Sequence, residues 1–143
     1  MFRTQTFSQL PQEDYLKRQM DQFAKALAKL LIKLSGLKNP VDITERTRIT
    51  DEVFEKEGHI SIKGLLHIPA DHFVDDLLKT NQFNTEQLEL LGEVLFSLSD
   101  GHHLERELLV RTLSILEHLH AHSNTYSLER QFRIEQIRKK IYP

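Results

Sequence analysis

The chain has 143 residues, 39% of them apolar and 28% charged, with no cysteine. That is one domain's worth of sequence, long enough to bury roughly two-thirds of its unfolded surface without a metal or disulfide staple. The missing cysteine excludes disulfide frameworks, thiolate zinc sites and cysteine nucleophiles.

Net charge is −2, but the charge is laid down in blocks. Residues 1–41 carry seven Lys/Arg against three Asp/Glu, and 42–80 carry five against nine. Residues 81–117 carry two against seven, and 118–143 carry five against two. We read basic terminal helices lying beside acidic middle ones. A basic face for nucleic acid is disfavoured, because the fields partly cancel and the basic helices lack interleaved exposed aromatics. No apolar run approaches the roughly 18 residues of a membrane span. The N-terminal MFRTQTFSQLPQED has no apolar core followed by a small-residue cleavage site. The expectation is a cytoplasmic protein with no nucleic-acid or membrane partner.

Residues 1–11 read as an N-terminal arm prone to fraying, with Pro11 stopping any helix, and 12–143 as a single helical domain. From Asp14 to Gly36 the spacing predicts one long amphipathic helix. Leu16, Met20, Phe23, Leu27, Leu30 and Leu34 fall 4, 3, 4, 3 and 4 apart, on one side of a helix. Lys17, Lys25, Lys29 and Lys33 lie away from that stripe. Asp14 can cap the start, and Gly36 can end the helix in a left-handed turn. The stripe suits a core-facing bundle helix and also a self-pairing seam, so a homodimer through this first helix stays open.

Asn39-Pro40 marks a turn. Asp42 with Glu45 has the spacing of a capping box and opens a weaker helix, with Ile43, Ile49, Val53 and Phe54 as its stripe and Gly58 as its end. Residues 59–68 alternate like a short strand, but no second strand candidate exists to pair with it. A helical turn from Ser61 to Leu66 followed by a loop is preferred. Pro69 precedes a short helix burying Phe73, Val74, Leu77 and Leu78.

The C-terminal half is plainer. Asn84 with Gln87 reads as a capping box ahead of Leu88, Leu91, Leu95 and Leu98. Asp100-Gly101 signals a tight turn. A helix from about His102 to His120 follows, then a break at 124–127, then a last helix with Ile134, Ile137 and Ile141 in register. Leu88, Leu91, Gly92 and Leu95 match the opening of a tetratricopeptide repeat, where the glycine lets the second helix approach closely. The fold expected is all-α: a bundle of five to seven helices with a tetratricopeptide-like helical hairpin in the C-terminal half.

With these residues in view, the chain resembles a group of small, mostly helical bacterial proteins without an established activity. The matching stretches are DYLKRQMDQFAKALAKLL, LELLGEVLFSLSD, LLVRTLSILEHL and TYSLERQFRIEQIR, which together span most of residues 14–138. The resemblance implies a bacterial source and this helical order. It carries over no catalytic residue.

Eight histidines are the unusual count. His118 and His122 are one turn apart and are the candidate metal ligands, with His102 or His103 as further ligands brought in by folding. The alternative is a solvated helix end, where imidazoles face the dipole. Asp71, His72, Asp75 and Asp76 form a second cluster, able to hold a cation or to act as acid and base, or to be the wet side of a short helix. His59 and His67 read as half-buried histidines. No glycine-rich phosphate loop and no nucleophile elbow occurs. The leading functional expectation is therefore a non-enzymatic interaction module or adaptor, with no cofactor and an unknown protein or peptide partner. The basic stripe Lys25, Lys29 and Lys33 would suit an acidic one. The alternative is a metal-dependent enzyme or metal-binding sensor using the His/Asp clusters.

Overall fold

A computed structural model describes the backbone of residues 2–80 and 83–143, and the side chains of 14–80 and 83–143. Seven α-helices are present among them, and no strand: α1 Phe2–Ser35, α2 Ile43–Val53, α3 Ile62–His67, α4 Phe73–Leu78, α5 Thr85–Ser99, α6 Glu105–His122 and α7 Leu128–Ile141. Short 3-10 turns at Pro40–Asp42 and Ala70–His72 lead into α2 and α4. The expected all-α bundle of five to seven helices is the observed architecture.

α1 is longer than its apolar spacing indicated. It runs through Pro11, so residues 2–10 are helical rather than an extended arm, and Asp14 lies inside the helix instead of capping it. Proline removes one backbone donor, a loss of roughly 3 kcal/mol that a long helix on both sides can carry. The expected docking of Phe2 and Phe7 on the core falls outside the described side chains. Phe23, Leu27, Leu30 and Leu34 are buried as the stripe predicts, while Leu16 and Met20 are half-buried. The helix ends at Ser35 through bonds from Gly36 N to Lys33 O and from Leu37 N to Leu34 O. Gly36 does not take the left-handed conformation expected of it; among the described glycines Gly101 alone does, at φ +74°.

α1 and α5 run in the same direction. Gln87, at the start of α5, donates through Nε2 to Met20 O at 2.8 Å. At the far end, Ser35 and Lys38 share a cleft with Ser99 and Asp100. The Asn84–Gln87 capping box forms as predicted. The same Gln87 side chain is completely buried and so ties the helix start to α1 as well. α6 returns antiparallel to α5, and Gly92 permits their approach: a Cβ there would stand 3.3 Å from Ile115 Cγ2.

α2 lies across α1 in the opposite direction. Its predicted capping box does not form: the Asp42 side chain makes no cap bond, and Glu45 turns instead to Arg48. The helix closes in a π turn, Phe54–Gly58, and the left-handed residue is His59 at φ 54° rather than the glycine. Gly58 is needed for another reason. A Cβ on it would stand 2.7 Å from Phe23 Cζ, so α2 reaches α1 only without one. The 59–68 stretch holds the short helix α3 where a helical turn is expected, its start capped by Ser61 Oγ accepting from Gly64 N. Asp51 Oδ1 accepts from Ile62 N and holds this cap to α2. In α4, Phe73, Val74 and Leu77 are buried as expected, whereas Leu78 is exposed.

The main core gathers Phe23, Leu27, Phe54, Phe73, Leu91 and Ile115 from five elements. A smaller core joins α6 to α7 through Leu109, Leu113, Leu116, Ile134, Ile137 and Ile141. The basic C-terminal block does lie beside the acidic middle one. Arg130 pairs with Glu89, Arg133 with Glu93, Arg138 with Glu117 and Lys140 with Glu105, at 3.0–3.4 Å. These pairs are at least partly exposed and each contributes less than about 1 kcal/mol. Each buried isoleucine of α7 contributes roughly 2 kcal/mol. Packing therefore holds α7, and the charges set its orientation.

Candidate functional site

The paired histidines near the end of α6 stack face to face, with ring centroids 4.2 Å apart and planes 24° from parallel. His122 Nδ1 donates to His118 O at 2.9 Å. A shared ion would have to lie in both ring planes, and nearly parallel planes do not meet nearby, so a ring would have to turn before the two could chelate. Burial holds His118 below its ordinary value of 6.5, the adjacent His122 pushes the same way, and Asp75 on α4 opposes them. Folding does not bring His102 and His103 here. They precede the first turn of α6, some 20 Å along the axis from His118. Among the described residues, no group of three His, Asp or Glu side chains converges as a metal site.

His102 and His103 stack on each other, at 4.5 Å between centroids. His102 is buried, and its Nδ1 accepts from Leu104 N at 3.0 Å. It therefore serves to turn the chain into α6. Burial pushes its pKa down, with His103 and Arg46 adding to the effect. His59 and His67, expected to be half-buried, are both exposed.

The second cluster is a wet surface. His72 Nε2 lies 3.7 Å from Asp71 Oδ2, and both side chains are well exposed. Asp76 faces Lys79 at 3.7 Å, and Asp75 is exposed. Lys29 and Lys33 line a groove against α2 whose other wall carries Glu52 and Glu57. Among the described residues no ion pair forms there with Lys25, Lys29 or Lys33.

Two arginines are buried in the fold. Arg111 on α6 is 4% exposed. It pairs with Glu107 at 3.0 Å and donates to Leu66 O and Ile68 O at 3.0 and 2.9 Å. It thus pins the end of α3 to α6. Arg46 on α2 is 3% exposed, and its Nη2 donates to Asp100 O at the carboxyl end of α5, at 2.5 Å. Both were legible in spacing. Ile43, Arg46, Thr50 and Val53 step by 3, 4 and 3, and Leu108, Arg111 and Ile115 by 3 and 4, so each arginine occupies an apolar-stripe position.

The solvent side of α7 carries large apolar groups. Leu128 and Phe132 are one turn apart and 57% and 61% exposed, and Tyr126 just ahead of them is 70% exposed. No helix among the described residues is long and apolar enough to cross a membrane. No known protein family, no curated protein and no solved structure matches the chain.

Proposed function

We propose that the chain is a non-enzymatic helical module that binds another polypeptide, with the outer side of α7 as its docking face. The observation that carries this reading is the exposed trio Tyr126, Leu128 and Phe132. Burying a leucine or phenylalanine contributes roughly 2 kcal/mol, and the fold leaves both Leu128 and Phe132 in water. The opposite side of the same helix is fully used by Ile134, Ile137 and Ile141, so α7 offers an apolar surface on both sides. Apolar anchors at i and i+4 suit an amphipathic helix or an extended segment carrying two apolar side chains. The α5–α6 pair, read as a single tetratricopeptide-like hairpin with α7 stacked alongside, fits a role in peptide recognition.

A photo-crosslinking residue at position 132 tests this in cells that make the protein. It should capture a discrete polypeptide that the same residue at position 45, on the far helix α2, does not. Leu128→Ser with Phe132→Ser should abolish binding of that polypeptide while leaving the melting temperature within about two degrees, since both side chains are already solvated. Equal capture at both positions would overturn the reading. Capture of a second copy of the chain would make the face a homodimer contact, on α7 in place of the first helix.

A further inference from the structure

Arg46 is a buried cation without a counter-ion. Among the described residues no carboxylate lies within ion-pair distance, and its Nε has no partner. Taking a guanidinium out of water is costly unless its charge is met. One neutral carbonyl and the partial negative charge at the carboxyl end of α5 offset part of that. The arginine borders a cleft of about 500 Å³ between α1, α5 and α7, within the size range of small-molecule sites. Four cations line it: Lys38, Arg46, Arg133 and Lys140. Arg133 is taken up by Glu93 and Lys140 by Glu105. Arg46 and Lys38 are left for a ligand. The remaining wall mixes the apolar Leu31, Phe96, Leu109 and Ile137 with serines, Gln136 and the acidic Glu93 and Asp100. The guanidinium of Arg133 lies 4.0 Å over the Phe96 ring, which fixes that wall.

We propose that this cleft binds a small organic anion, a carboxylate or phosphate on an apolar body. The head group lies against Arg46 and Lys38, and the body against Phe96 and Ile137. The anion supplies the charge partner that Arg46 lacks, in a setting where charge-assisted hydrogen bonds are strongest. This site is separate from the outer side of α7, and neither reading depends on the other.

The test is a titration of the isotope-labelled full chain with phenyl phosphate, followed by amide chemical shifts, with benzyl alcohol as the neutral control. Amides of 31–38, 96–100 and 133–140 should move together and saturate below about 10 mM, and benzyl alcohol should leave them in place. Arg46→Met should weaken binding at least about tenfold. Because Arg46 also serves the end of α5, two further variants leave that contact alone. Lys38→Glu reverses an exposed charge and should weaken binding about as much, and Ser97→Trp should fill the cleft and abolish it. If phenyl phosphate moves none of these amides, or if all three variants bind it as the parent does, the cleft is not an anion site and Arg46 serves α5 alone. Equal binding of benzyl alcohol overturns the proposal in the same way.

Discussion

Arg46 and Arg111 are buried to the same degree, on helices that pack against the same core, yet their surroundings differ. Arg111 has a carboxylate, two carbonyls of a neighbouring segment, and the Phe73 ring 5.9 Å beneath its guanidinium. Arg46 has one carbonyl and an open cleft. A buried charge met by a carboxylate and two carbonyls is a structural clasp, even though the Nε of Arg111, like that of Arg46, has no partner. A buried charge with one carbonyl is a cost that the rest of the fold carries, and such costs persist where something other than stability selects them. The difference separates a region built to hold α3 and α4 in place from one built around an opening.

The largest effect should come from breaking the clasp. Arg111→Met strands the carbonyls of Leu66 and Ile68 and frees the end of α3. A loss of about 3 kcal/mol in urea unfolding is expected. Gly58→Ala comes next, because α2, which carries Arg46, meets α1 only where that Cβ is absent. Displacing the Phe23 ring should cost about 2 kcal/mol, read from the same transition. Arg46→Met should cost no more than about 1 kcal/mol, since it gives up one bond to a neutral carbonyl and removes an uncompensated charge. If it costs as much as Arg111→Met, the comparison fails and both arginines are clasps.

The smallest effect is a pH dependence shared by the two regions. His102 lies near Arg46, and His118 faces α4; burial lowers the pKa of both in the folded chain. The unfolded chain then binds more protons than the folded one as pH drops below 6.5. Their contribution to stability is present above that value and is lost as pH falls through it toward the lower folded values. Melting temperature should fall by a few degrees at most between roughly pH 7 and 5.5. His102→Gln and His118→Gln should each flatten part of that slope. A slope of the opposite sign would mean that Asp75 outweighs burial at His118.

Periodicity alone made the helices readable. Leu88, Leu91, Leu95 and Leu98 are buried where their spacing put them, as are Ile134, Ile137 and Ile141. The Asn84–Gln87 cap formed because both of its partners are local in sequence. Caps failed where a competitor stood nearby. Glu45 had Arg48 one turn ahead and took the stronger, charge-assisted bond. The histidine pair was legible as a pair, since i and i+4 neighbours meet on any helix, but whether two rings chelate or stack depends on rotamers that no spacing encodes.

By itself, then, the sequence determined the all-α class, the order of the helices and most of the buried leucines and isoleucines, because hydrophobic period and local capping are short-range. Tertiary structure decided what Gly58 and Gln87 are for, since each answers to a residue of α1 far away in the chain. It also decided the fates of the two arginines. A cation in an apolar stripe reads the same at position 46 as at 111, and only the chain packed against it determines whether its charge is met.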